Sequence, residues 1–174
     1  MPFDPDKHHR RSIRLPGYDY ASPGAYFVTL CTLRRAPILG ELGADTVRLS
    51  STGTIVEQCW LALPRHFPCV TLDTWVIMPD HLHGIVVLAA EPRHPKREAQ
   101  SAAHGTQSAS LSAVLQNFKS VSTRRVNRAQ GRTGRTLWQR NYYERIIDDA
   151  AGLVAVRRYI EANPIRAWVQ RRHG

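Results

Sequence analysis

The chain has 174 residues, enough for one domain with a real core. Its 24 Lys and Arg outnumber 14 Asp and Glu, giving a formal charge of +10 and a sequence pI near 10.3. Apolar residues make up 43% of it, which excludes a disordered polycation. A folded domain this basic points to a polyanionic partner, most simply nucleic acid and secondarily an anionic membrane surface.

The charged start at Met1–Arg11 is followed by no apolar stretch, so no secretory signal is expected. The longest apolar run, Gly84–Ala90, is far too short to span a bilayer. Cys31, Cys59 and Cys69 form an odd set without a CxxC pair and read as small core residues of a soluble cytoplasmic protein.

In chain order, residues 1–24 are basic and turn-rich, an arm leading into a domain expected over 25–170, with 171–174 a basic tail. Ala25–Leu33 is β-branched and aromatic, a buried strand. Residues 37–50 read as a loop with a short hairpin around Gly40 and Gly43. A helix begins at Ser51-Thr52-Gly53 and carries Ile55, Val56, Cys59, Trp60 and Leu63, with Pro64 near its end. Cys69–Met78 reads as a strand with a bend. Pro79-Asp80 is a turn, and His81–Leu88 is the returning strand of a hairpin.

Residues 91–108 are polar and unpatterned, a flexible insertion. Leu111, Val114, Leu115, Phe118 and Val121 mark one face of a second helix, which runs on into Arg124, Arg125 and Arg128. Leu137–Ile147 is the last strand. Asp148 or Asp149 caps a final helix to about Ala162, stopped by Pro164. The order β-α-β-β-α-β-α predicts an α+β, ferredoxin-like split βαβ domain: an antiparallel sheet with helices on one face, plus a C-terminal helix.

His81-Leu82-His83 is the most informative tripeptide. On a strand, residues two apart share a face, so both imidazoles can hold one ion while Leu82 points to the core. A metal beside a basic surface suggests phosphodiester chemistry, with a nucleophile attacking phosphorus in line. The acidic residues are too scattered for a two-metal carboxylate nuclease, and no Ser/His/Asp arrangement stands out. Six tyrosines remain. Tyr159 sits on the last helix with Asn163 one turn later on the same side, a pairing that offers nucleophile and third ligand together. The plainer reading is a tyrosine covering the sheet and an asparagine ending the helix.

Trp75–Gly84, Leu137–Ile147 and Tyr159–Ala167, with Gly24–Leu30 ahead of them, resemble in order the blocks of the REP-associated tyrosine transposases. These belong to the His-hydrophobic-His (HUH) single-tyrosine transposases. The resemblance covers about residues 10–170 and implies a domain that cleaves and rejoins hairpin-containing single-stranded DNA through a 5′-phosphotyrosine. By position, His81 and His83 match the metal ligands, Tyr159 the nucleophile and Asn163 the third ligand. The implied ion is Mg²⁺ or Mn²⁺. Many members carry Asn or Glu before the first His, where this chain has Asp80.

The basic residues then read as contacts to DNA phosphates: Arg10, Arg11 and Arg14 in the arm, and Lys119, Arg124, Arg125, Arg128, Arg132, Arg135 and Arg140 from helix to last strand. Arg166, Arg171 and Arg172 extend the clamp, and Trp138 and Tyr142 are candidates for either base stacking or core packing. A DNA partner implies association with the nucleoid; monomer and homodimer stay open. Two competing readings are a domesticated, non-cleaving DNA-binding protein of the same fold and a ferredoxin-like RNA-binding module. The full His81/His83/Tyr159/Asn163 set weighs against the first. Histidines at exposed strand positions weigh against the second.

Overall fold

The computed structural model describes residues 22–44, 46–90 and 110–173. The arm with Arg10, Arg11 and Arg14, and the whole of the 91–108 insertion, therefore lie outside the described residues. Four strands form one antiparallel sheet: β1 (Gly24–Cys31), β4 (Val70–Met78), β5 (His81–Leu88) and β6 (Tyr143–Ile147). Their spatial order is β4-β5-β1-β6, with the first strand and the hairpin's return strand in the middle. Split βαβ topology places strands this way. A two-stranded ribbon, β2 (Gly40–Leu42) and β3 (Val47–Leu49), lies in the connection where a short hairpin was expected.

The strand period of two divides the sheet into two cores. Tyr26, Val28 and Leu30 of β1, with Leu82 and Val86 of β5, meet α1 (Ser51–Leu61) and α3 (Leu111–Ala129) on one face. Trp60, Leu115, Phe118 and Trp138 complete this larger core. Phe27 of β1 and Ile85 of β5 point to the other face, against Val156 and Ile160 of α4 (Ala150–His173). Each such buried side chain contributes roughly 1.5–3 kcal/mol, so four of them hold α4 less firmly than the larger core holds α1 and α3. An ion pair helps: Arg157 Nε and Nη2 donate to Asp73 Oδ1 and Oδ2 at 2.9 and 2.5 Å, tying α4 to β4. Asp73 is presented by an irregularity in β4 between Leu72 and Trp75, the bend expected there.

The caps follow local chemistry. The Ser50 hydroxyl accepts from Gly53 N, that of Ser110 from Ala113 N, and the Asp149 carboxylate from Gly152 N.

Three expected boundaries are corrected. α1 ends at Leu61, short of Leu63, and Pro64 lies in the first turn of a separate short helix, α2 (Leu63–His66), where its missing N–H is no loss. The last strand starts at Tyr143 rather than Leu137, because 137–142 is pinned by other contacts. Trp138 forms only an isolated bridge with Thr32, and its indole donates to Ser122 Oγ at 2.9 Å inside the core. Finally, α4 continues through Pro164 to His173. Proline removes one intrahelical bond, yet Pro164 is itself buried, and the helix carries on past it.

Candidate active site

The hairpin register sets the histidines. Met78 pairs with His81 across the Pro79-Asp80 turn, and β5 continues into the sheet centre beside β1. His81 and His83 therefore share the face that α4 covers, while Leu82 is fully buried on the other. Gly84 follows because nothing larger fits: a Cβ there would lie 2.5 Å from the ring of buried Trp60.

The two imidazoles converge, with Nε2 to Nε2 at 3.1 Å. Each outer nitrogen is held from behind. His81 Nδ1 lies 2.6 Å from Asp80 Oδ1, and His83 Nδ1 lies 2.8 Å from Thr29 Oγ1. Arg35 Nε donates in turn to Asp80 Oδ2 at 2.9 Å. Arg35 and its neighbour Arg34 adopt positive φ (57° and 56°), a backbone conformation uncommon outside glycine that often marks a functional turn.

One neutral arrangement satisfies this chain. His81 Nδ1–H donates to Asp80, His83 Nε2–H donates to His81 Nε2, and the Thr29 hydroxyl donates to His83 Nδ1. Burial pushes the His83 pKa down to about 3, helped by the neighbouring His81 and Arg35 charges. Burial also lowers His81, opposed by Asp80. Both rings are thus neutral near pH 7, the form that ligates metals.

The fit to an ion can be tested on the spacing. Two ligand bonds of about 2.1 Å at right angles put their donor atoms about 3.0 Å apart. The observed 3.1 Å agrees. To free both Nε2 lone pairs, His83 need only move its proton to Nδ1 and donate to the Thr29 oxygen, which accepts as readily as it donates. Among the described residues no group of three His, Cys, Asp or Glu assembles, so a third protein ligand has to be of another type. Asn163 lines the same open cleft, of about 760 Å³, with Thr29, Asp80, His81, His83 and Tyr159.

Tyr159 stands over the pair. Its ring lies 5.3 Å from that of His83, centroid to centroid, and edge-on to Phe27 at 5.9 Å. It is 41% exposed, whereas His83 is 6% exposed. Both aromatic contacts come from the same chain. Arg35, Gln170 and Arg171 line the cleft as well, so the stretch of α4 beyond Pro164 helps build the site.

The four residues singled out by spacing are therefore brought together. The basic cluster is not: α3 packs on the opposite face of the sheet. Arg124 and Arg128 on α3, and Arg132, Arg135 and Arg140 in the connection that follows, are exposed. Arg125 donates to Gln58 Oε1 at 3.0 Å, and Arg132 to Gln130 Oε1. Lys119 is half-buried, its ammonium donating to the carbonyls of Gln139 and Arg140 at 2.5 and 2.8 Å, with its pKa lowered by burial. Of the stacking candidates, Trp138 belongs to the core, and Tyr142 packs against it with its hydroxyl 3.3 Å from Ser112 Oγ. Sequence reasoning passed over Thr29, Arg35 and Arg145. The alternation of β6, which turns Tyr143 and Arg145 to the α4 side, was the available signal for Arg145.

Comparison with known proteins gives a consistent answer. A family model described as "Transposase IS200 like" matches residues 102–163, the span holding α3, β6 and Tyr159. A protein of Haemophilus influenzae described only as uncharacterized is 37% identical over 169 residues, 94% of this chain and 92% of its own length. The solved structure of a REP-associated tyrosine transposase bound to a REP hairpin superposes with a TM-score of 0.61, covering 88% of this chain and 74% of that one at 19% identity. A putative transposase from Deinococcus radiodurans superposes at a TM-score of 0.46 and 17% identity, covering 85% of this chain and 95% of that one; it is too distant to carry an argument. Residues 102–163 thus match the IS200-like transposase family, and the sheet order and helix placement are the fold of a REP-associated tyrosine transposase.

Proposed function

We propose that the protein is a metal-dependent transposase or nickase that cleaves and rejoins hairpin-containing single-stranded DNA through a 5′-phosphotyrosine on Tyr159. The observation that carries this reading is the convergence of His81 Nε2 and His83 Nε2 at 3.1 Å beneath the Tyr159 ring, in one cleft with Asn163. His81, His83 and Asn163 would hold a Mg²⁺ or Mn²⁺ ion, which when bound supplies charge neutralisation at a non-bridging phosphate oxygen.

The chain's own residues account for the rest. Tyr159 Oη loses its proton and attacks phosphorus; the P–O3′ bond breaks, and the leaving 3′ oxygen takes up a proton. A 3′-hydroxyl later attacks the phosphotyrosine, the P–Oη bond breaks, and the tyrosine is regenerated. Bond count is conserved at each step, so no nucleotide cofactor is needed. Arg35 and Arg171 line the cleft where a phosphodiester would sit and offset its charge. Thr29 and Asp80 orient the two imidazoles. The bound DNA of the REP-transposase structure supports a hairpin as partner. The exposed arginines of α3 and the following loop, with the arm residues Arg10, Arg11 and Arg14, would hold the duplex part by its phosphates.

The test is to incubate the protein with end-labelled hairpin DNA and Mn²⁺ and run a denaturing gel. A protein–DNA adduct is expected, absent in Tyr159→Phe and with chelator. An adduct that survives Tyr159→Phe but disappears in Tyr143→Phe would assign the chemistry to the other exposed tyrosine. Tight hairpin binding with no adduct under any metal would mark a non-cleaving DNA-binding protein.

A further inference from the structure

A second cleft adjoins the first and has no role in the chemistry described so far. It lies between β6 and the first half of α4, has a volume of about 520 Å³, and shares Thr29, His83 and Tyr159 with the cleft of the histidine pair. Sequence explains why it is open. Gly152, Ala155, Val156 and Tyr159 fall on one stripe of α4, and the two small residues leave a gap over the sheet where larger ones would close it. Opposite them, β6 alternates so that Tyr143 and Arg145 face this gap while Glu144 is buried on the other side.

The walls are aromatic. Phe27 forms the floor, edge-on to Tyr143 at 6.0 Å and to Tyr159 at 5.9 Å. Tyr143 and Tyr159 are among the exposed large hydrophobic residues, at 38% and 41%. Arg145 is exposed, and among the described residues no acidic side chain lines the cleft.

We propose that this cleft is a nucleobase pocket, which takes one unpaired base flanking the scissile phosphate between Tyr143 and Tyr159 while Arg145 meets the adjoining phosphate or the base edge. The proposal rests on the strand-transfer reading of the neighbouring site. A flat, apolar slot with ring walls matches a base, because every base offers a π-face. The cation at its mouth and the lack of carboxylates match the phosphates on either side. Continuity with the histidine cleft through Thr29, His83 and Tyr159 puts the pocket beside the place of the reacting phosphorus. It would read the strand outside the hairpin.

The experiment uses the full chain in two arms. In the first, Tyr159→Phe protein, which keeps the pocket wall, is bound to hairpin DNA carrying 2-aminopurine at each single-stranded position in turn. Quenching is expected at one position and is lost when Ala155→Trp fills the cleft or Tyr143→Ala removes a wall. In the second, an abasic site at that position slows adduct formation by wild type on the order of 10- to 100-fold. The same abasic site adds little to Ala155→Trp or to Arg145→Gln, a surface change that spares the fold.

Adduct formation with no quenched position overturns the pocket and leaves strand transfer standing, as do abasic and pocket effects that simply multiply. Quenching without any adduct overturns strand transfer and keeps the pocket. Neither signal overturns both.

Discussion

Single side chains at the site are specified by what stands behind them. Thr29 is the clearest case: a threonine on β1 with its hydroxyl 2.8 Å from His83 Nδ1. Partners behind a metal-binding histidine typically contribute about 10- to 100-fold to affinity. Thr29→Val keeps the shape and removes the hydroxyl, so Mn²⁺ affinity measured by calorimetry should fall by that order while the circular dichroism spectrum is unchanged. An unaltered affinity would show that His83 is oriented by packing on Phe27 alone, with which it stacks at 5.4 Å. Gly84 makes a second residue-scale case. Gly84→Ala drives a methyl into the buried Trp60 ring, and overpacking of this kind costs about 1–3 kcal/mol. Urea unfolding should report a loss in that range; no loss would mean that the indole yields freely.

The helix α4 is the element on which the candidate site depends most, because it carries both Tyr159 and Asn163. Besides four buried apolar residues, the Arg157–Asp73 pair fixes it, two positions before Tyr159. Hydrogen bonding from the guanidinium holds the Asp73 carboxyl well below the usual carboxylate range. A carboxylate with a depressed folded pKa stabilises fully above its unfolded value, here 3.8, and loses that contribution as pH falls below it. Wild type should therefore exceed Asp73→Asn in stability at pH 7, with the gap narrowing below about pH 4. Amide exchange along α4 should rise in the variant. A pH-independent gap would assign the effect to the bend in β4 instead of to charge.

Most of this element order was legible because apolar periodicity switches cleanly between two and 3.6, and serine and aspartate caps mark the starts. What was not legible depended on context. Pro164 reads as a stop, yet it is buried within a helix that runs on. Leu137–Tyr142 reads as strand from its β-prone residues, yet core packing of Trp138 and the Lys119 bonds to the carbonyls of Gln139 and Arg140 hold it in an irregular path.

At the scale of the whole molecule, α3 with its exposed arginines and the candidate site lie on different faces of one sheet. Spacing offered His81/His83 and Tyr159/Asn163 as pairs, because two residues along a strand and four along a helix leave little freedom, and the family resemblance joined them into one site. Neither foresaw that Arg124 and Arg128 belong to the far face, since that depends on which side α3 packs. Separate faces imply separable functions. Replacing Arg124 and Arg128 by Gln should weaken hairpin binding and lower its salt dependence by up to two phosphate contacts. The rate of adduct formation at saturating DNA should change little. A fall in the saturated rate with unaltered affinity would contradict that division.

Within a single copy α4 already brings Tyr159 to the histidines, as catalysis in cis requires. A mixture of His81→Ala and Tyr159→Phe proteins should therefore give no adduct, whereas exchange of α4 between copies would restore it. Most direct of all is the identity of the linked residue. Wild-type protein is allowed to react with hairpin DNA and Mn²⁺, digested with trypsin and nuclease, and the nucleotide-bearing peptide is sequenced by mass spectrometry. The account predicts the adduct on Tyr159-Ile-Glu-Ala-Asn-Pro-Ile-Arg166, which contains a single tyrosine. A nucleotide found instead on Asn141-Tyr-Tyr-Glu-Arg145, or on any other peptide, would contradict it.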